Sequence, residues 1–249
     1  MRRVILAVTF ALVSHASIGD LPVRLDVYTE EFPPFQTLIS PGKVGGIATG
    51  IVEAVLRDSN IPYQIHLMPW FRSTTNVEKY PNSLIYSLAR TPSRENQFHW
   101  LVPLCPINVA FYRLTTRDDI NIKRLEDAKK YVVAVAAGQP SETYLLNQGF
   151  TPDSNLVVLA SHEQGAGMLE KKRIDLLFGA EQFFDGVVHD LNLEGQWEQV
   201  LKIDELSRQT YLAANKAISQ EYVQRIKASF ERVQNQLQIE SRCDQIKTR

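Results

Sequence analysis

The chain of 249 residues reads as an α/β protein of two lobes, with a hinge and an interlobe cleft. Two observations predict this. Short apolar runs alternate with amphipathic helical patterns from start to finish, which is the rhythm of an α/β fold with largely parallel sheets. Two turn-rich segments, Thr91 to Pro106 and Leu206 to Thr210, interrupt that rhythm and mark where the chain passes from one lobe to the other and back.

Arg2 and Arg3 precede an apolar stretch from Val4 to Val13, and small residues follow at Ser14, Ala16, Ser17 and Gly19. This is the pattern of a Sec signal peptide over 1–19, cleaved after Ala16 or Gly19, with no cysteine to carry a lipid. The stretch is shorter than the roughly 20 residues of a membrane span, so a free periplasmic protein is expected. Strands are predicted at Val23 to Tyr28, Tyr63 to Leu67, Leu84 to Tyr86, Val132 to Val135, Val157 to Leu159 and Leu176 to Phe178. Ile47, Ile51, Val52, Val55 and Leu56 share one helical face, as do Tyr222, Ile226, Phe230, Val233 and Leu237. Lobe one is expected over 20–113 and 211–249, with crossings near Arg113 and Tyr211, and lobe two over 114–210. The C-terminal helix then completes lobe one, and the double crossing forms the hinge.

Charge and composition remove several classes of function. Loss of Arg2 and Arg3 with the signal takes the formal net charge from −1 to −3, and no long basic run remains, which argues against nucleic acid and anionic membrane as partners. Cys105 and Cys243 are the only cysteines, too few for a disulfide-built scaffold or a multi-cysteine zinc site. Export permits one disulfide, and whether the two are joined depends on whether the C-terminal tail packs beside the Cys105 strand. His66, His99, His162 and His189 form no metal-spacing motif, and no nucleophile elbow or phosphate loop is present. No cofactor and no metal are expected.

Ligands of open α/β sheets bind beyond the carboxyl ends of strands, so the loops there hold the candidates. After the first strand, Thr29-Glu30-Glu31-Phe32-Pro33-Pro34-Phe35 sets two rings around an extended Pro-Pro step. Phe32 is assigned to the cleft, while Phe35 fits the cleft wall and the lobe core equally. After the second strand, Trp70 and Arg72 offer a flat ring and a guanidinium whose planar fork suits a carboxylate. The strongest local signal is Ser87-Leu88-Ala89-Arg90-Thr91-Pro92-Ser93-Arg94-Glu95, where Ser87, Arg90, Thr91 and Arg94 can build a bidentate anion clamp. In lobe two, Gly138-Gln139-Pro140-Ser141 joins a strand to a helix N-terminus, whose free N–H groups favour an anion near Gly138 and Ser141.

Taken in order, Phe32-Pro33-Pro34-Phe35, Gly42-Lys43, Gly46-Ile47, Thr91-Pro92-Ser93-Arg94 before Phe98-His99-Trp100, Leu125-Glu126-Asp127-Ala128, the Gly138 turn, Lys172-Arg173-Ile174-Asp175 and Tyr211 to Lys216 form one pattern across the mature chain. It resembles the family 3 solute-binding proteins, the amino-acid-binding components of ABC importers, with the type II periplasmic-binding fold. The resemblance implies that Arg94 clamps a ligand α-carboxylate, that Thr91 lines the site and that Phe32 packs on the ligand. It also implies a monomer that captures a small carboxylate-bearing ligand by hinge closure and hands it to an ABC permease. Two positions depart from the family. Gln139 and Pro140 stand where small hydroxyl residues are usual, and Ala180 stands where an acid fixes the α-amino group, with Glu181 adjacent as the replacement.

Two alternatives accompany this reading. A closed binding protein can dock instead on a membrane sensor, with the same ligand chemistry. A secreted cyclohexadienyl dehydratase also resembles these binders, and that reading requires Glu30, Glu31 or Glu181 in the cleft with a raised pKa.

Overall fold

The computed structural model describes residues 24–160, 162–182, 184 and 195–244. The expected signal peptide and the residue His189 lie outside these residues. In chain order the elements are β1 (Leu25–Thr29), β2 (Thr37–Ser40), β3 (Lys43–Gly45), α1 (Ile47–Asp58), β4 (Tyr63–Leu67), α2 (Trp70–Lys79), β5 (Ser83–Ala89), β6 (Phe98–Ile107) and β7 (Val109–Leu114). They continue with α3 (Leu125–Ala128), β8 (Val133–Ala136), α4 (Pro140–Asn147), β9 (Leu156–Leu159), α5 (His162–Glu170), β10 (Leu176–Ala180), β11 (Trp197–Lys202), β12 (Arg208–Asn215), α6 (Gln220–Leu237) and α7 (Ile239–Asp244).

Two five-stranded sheets carry the two lobes, ordered β4-β1-β5-β12-β6 and β11-β7-β10-β8-β9. The β1 strand runs parallel to β4 and β5, and β8 runs parallel to β9 and β10. Strands adjoining the crossings run the other way: β12 is antiparallel to β5 and β6, and β7 to β10 and β11. The sheets are therefore mixed rather than largely parallel.

The crossings also fall away from Arg113 and Tyr211. The β7 strand already belongs to the second sheet, so the outward passage is at Asn108, and β12 belongs to the first sheet from Arg208, so the return spans 203–207. The cause of the first shift is β6. Its Pro103 and Pro106 read as turn residues, yet β6 lies at the edge of its sheet, where a missing N–H removes no ladder bond.

Lobe one closes as its apolar pattern requires. The α1 helix buries Ile51, Val52, Val55 and Leu56, each removal from water contributing about 1.5–3 kcal/mol. Its N-cap Gly46 has φ 106°, and a Cβ there would sit 2.4 Å from the Phe35 carbonyl oxygen, so glycine is required on both counts. The α6 helix packs on α1 through Val223 and Ile226 and fixes its register with polar bonds. Ser229 Oγ donates to the Val55 carbonyl at 2.6 Å, and Arg232 Nη2 pairs with Asp58 at 2.6 Å. A disulfide joins Cys105 in β6 to Cys243 in α7, with both residues buried and 138 positions apart. In lobe two, Phe111 and Phe178 stack at 4.3 Å in a core completed by Val133, Val135, Leu145 and Phe150.

Candidate functional site

A cavity of about 60 Å³ lies between the two sheets, where the ends of β1, β5, β6, β8 and β10 converge. Lobe one lines it with Glu30, Phe32, Trp70, Ser87, Thr91 and Arg94, and lobe two with Gln139, Pro140, Ser141 and Ala180. Six of the residues expected from sequence therefore meet: Phe32, Trp70, Ser87, Thr91, Arg94 and Ser141.

Arg94 sits on the turn that follows β5, held by its own N–H to the Thr91 carbonyl at 3.0 Å and by the Gln97 N–H to its carbonyl at 2.9 Å. Its Nη1 is buried with no hydrogen-bond partner among the described residues. Desolvation holds the guanidinium pKa below the ordinary arginine value, with the charge of Glu78 opposing. A desolvated cation is costly, the charge of Glu78 offsets the cost only in part, and an anionic ligand removes the remainder.

Glu30 follows β1 and reaches across the cleft. Gln139 Nε2 donates to both of its carboxylate oxygens, at 3.0 and 2.8 Å, and these bonds bridge the lobes. Enclosure in the closed cleft raises the carboxyl pKa from its ordinary 4.5 to about 8, against the lowering effect of the Gln139 bonds. Glu30 as a whole keeps some exposure, but it is the carboxyl that is desolvated. Glu31 faces away, accepting from Thr37 Oγ1 and from the Leu38 N–H.

The aromatic residues divide. Phe32 lines the cavity and meets Phe35 edge to face at 5.0 Å, whereas Phe35 is 2 % exposed and belongs to the lobe core. Trp70 opens α2 and is buried among Tyr28, Val77, Ile85 and Leu88, with its Nε1 unpartnered among the described residues. Ser87 has a left-handed φ of 58° and donates Oγ to Gln36 Oε1 at 2.8 Å, so a buried amide fixes its hydroxyl. Pro140 and Ser141 bring the first turn of α4 to the cavity, its dipole facing the same space as Arg94.

Four expected residues do not reach the cavity. Arg72 is exposed on α2, because the helix turns it away from Trp70. Arg90 is bound to Glu95 by two hydrogen bonds. Gly138, with φ +73°, gives its N–H to Glu142 and sits at the rim, where a Cβ would meet that of Phe71 at 3.3 Å. Glu181 is tied to the hinge, accepting from Asn108 Nδ2 at 2.9 Å and donating its N–H to the Asn108 carbonyl at 2.7 Å. Ala180, not Glu181, faces the ligand space. Gln139 was legible only as a departure from the family pattern, and Glu30 only as one of three carboxylates; an acid directly after the first strand is the signal that singles it out.

No protein-family model matches the sequence, and no curated protein matches it significantly. Solved structures do match. A histidine kinase sensor domain described as similar to periplasmic binding proteins superposes with a TM-score of 0.75 at 16 % identity, covering 89 % of this chain and 94 % of that one. An ancestral arginine-binding protein bound to arginine gives 0.72 at 20 % identity over 90 % and 96 % of the two chains. A periplasmic binding protein of Salmonella typhimurium with high arginine specificity gives 0.70 at 14 % identity over 89 % and 97 %. The chain thus has the two-lobed periplasmic-binding-protein fold along nearly its whole length.

Proposed function

We propose that this protein is a periplasmic solute-binding protein that captures a small ligand bearing both a carboxylate and a cationic group, and delivers it to an ABC importer. The observation that carries the reading is Arg94, a desolvated guanidinium with an unpartnered nitrogen beside an interlobe cavity. The ligand carboxylate docks on Arg94 with Thr91, its body lies against Phe32 and Trp70, and Ser141 adds a helix N-terminus on closure. Glu30 takes the cationic group, the part left open by Ala180. Several of the similar structures are arginine- or amino-acid-binding proteins, which supports this class of ligand.

Closure is a population shift driven by the contacts a ligand gains only in the closed form. A space of 60 Å³ holds on the order of four water molecules, so a ligand of amino-acid size enters by displacing the Gln139 bridge from Glu30. The chain acts as a monomer in this scheme, and cleavage of residues 1–19 releases it into the periplasm.

A thermal-shift screen of the mature protein against amino acids, with L-arginine first, other carboxylates and amines tests the reading. A ligand at 100 times its Kd adds about 2.7 kcal/mol and raises the melting temperature visibly. Hits that demand both a carboxylate and a cation support the assignment, and a panel with no carboxylate hit overturns it.

One observation favours a second reading. A cleft carboxyl with a pKa near 8 is protonated at neutral pH, as general acid catalysis requires. Turnover of prephenate that disappears in Glu30→Gln would convert the binder into a dehydratase-like enzyme.

A further inference from the structure

Gln139 stands at the N-cap of α4, with φ −83° and ψ 153°, yet its side chain does not cap that helix. Short side chains with an oxygen acceptor are the usual caps, and the longer glutamine amide is free to be used elsewhere. It crosses the cleft, where Nε2 donates to both carboxyl oxygens of Glu30, at 3.0 and 2.8 Å. The turn that presents it is fixed on both sides. The Ala137 N–H binds the Leu159 carbonyl at 2.8 Å, the Gly138 N–H binds the Glu142 carboxylate, and the Glu142 N–H returns to the Gln139 carbonyl at 3.0 Å. Gly138 also approaches the start of α2, where an added Cβ would lie 3.3 Å from that of Phe71. The same turn of lobe two thus meets lobe one at the rim of the cleft and, through Gln139, at the cavity carboxyl.

We propose that Gln139 is an autoinhibitory latch: in the unliganded protein its carboxamide holds the cleft shut by taking the place on Glu30 that the ligand's cationic group takes on binding. This regulates the site described above and rests on the reading of Glu30 as the acceptor of that group. The two occupants share a geometry, since an amide NH₂ and an ammonium or guanidinium all offer N–H donors to a carboxyl. They differ in charge. A cation adds Coulombic attraction to the hydrogen bonds, whereas a neutral donor only exchanges one amide-grade bond for another, so a cationic ligand displaces the latch and a neutral one gains little. A cavity of about 60 Å³ leaves no room for a ligand of amino-acid size beside the latch, so entry and release of Gln139 are one event. The latched form lowers the apparent affinity by the fraction of molecules that are free of it, equally for every ligand that must displace it.

The experiment compares wild type with Gln139→Ala, which removes the amide, and Gln139→Asn, which keeps a good N-cap but is one methylene shorter and cannot span the cleft. Small-angle scattering of the unliganded proteins reads the latch, and stopped-flow fluorescence with L-arginine reads the competition, both at about pH 5, where enclosing Glu30 costs little. Both variants should show a larger radius of gyration than wild type. Both should bind L-arginine about tenfold more tightly, with the gain in the association rate and the dissociation rate unchanged. A Gln139 that instead holds the bound ligand predicts weaker binding and faster dissociation in both variants, and that result overturns the proposal, as does unchanged affinity or a gain confined to dissociation. If neither wild type nor variants bind L-arginine, the kinetics speak against the ligand reading alone. Scattering then decides the latch by itself: more open variants support it, and scattering identical to wild type removes it.

Discussion

The two walls of the cleft are unlike. Lobe one presents an acid, a guanidinium and two aromatic rings, in Glu30, Arg94, Phe32 and Trp70. Lobe two presents Val109, Gln139, Pro140, Ser141 and Ala180, and the return crossing Leu206, with no ionisable side chain among these described lining residues. The contrast extends to the scaffold, since the Cys105–Cys243 disulfide and α6 close lobe one, while lobe two is one continuous segment held by its core. The ionisable groups lining the cleft are thus concentrated on the lobe that is covalently fixed. The neutral wall can then close over a bound ligand without desolvating a charge of its own, which keeps closure inexpensive and reversible.

The largest expected effect breaks the scaffold half of this contrast. Replacing both cysteines by serine opens a loop of 138 positions and should cost lobe one about 5 kcal/mol by chain entropy, while ligand specificity is retained. Calorimetric unfolding of the variant should separate into two transitions, the lower one belonging to lobe one; an unchanged single transition would make the cross-link irrelevant to the contrast.

Next in size is Arg94→Ala, which removes the cation from the charged wall. Ligand-dependent stabilisation should be lost almost entirely, and the unliganded protein should become slightly more stable because a desolvated charge is gone. Arg94→Lys should recover little, since an ammonium lacks the planar fork. Equal ligand shifts in mutant and wild type would relocate recognition to another residue.

Protonation of Glu30 sharpens the comparison further. The carboxyl titrates near 4.5 when solvated and near 8 in the closed cleft, so closing takes up a proton between those values. Below about 4.5 closure carries no charge cost; from there the unliganded closed form loses up to about 1.4 kcal/mol per pH unit, until the full cost is reached above about 8. Small-angle scattering of the unliganded protein should therefore show opening as the pH rises through this window, and Glu30→Gln should abolish the dependence. The smallest effect belongs to the neutral wall: Ser141→Ala should reduce ligand stabilisation by about 1 kcal/mol without altering which ligands bind.

Much of the scaffold was readable from pattern. The Tyr63–Leu67 strand is predicted residue for residue, and α1 and α6 follow from their apolar faces, because burial on one side of an element leaves a periodic trace in the sequence. The β6 strand left no such trace, since its prolines are tolerated only by virtue of its place at a sheet edge. Arg94, Thr91, Phe32, Trp70 and Ser141 line the cavity because segments that follow strands at one end of a sheet share a location whatever else the chain does, and Ser87 joins them from within β5.

Sequence by itself determined the alternation of strands and helices, the double crossing, and the set of residue types available at the cleft. Tertiary structure alone decided which partner each charge received. Glu95 went to Arg90 rather than Arg94, Glu181 to the hinge rather than the cavity, and Glu30 to Gln139 across the lobes. Cys105 likewise found Cys243 only because α7 packs beside β6. The physical reason is that periodic burial is a local property of the chain, whereas an ion pair, an interlobe hydrogen bond or a disulfide depends on distances of a few ångströms between segments that only the packed fold brings together.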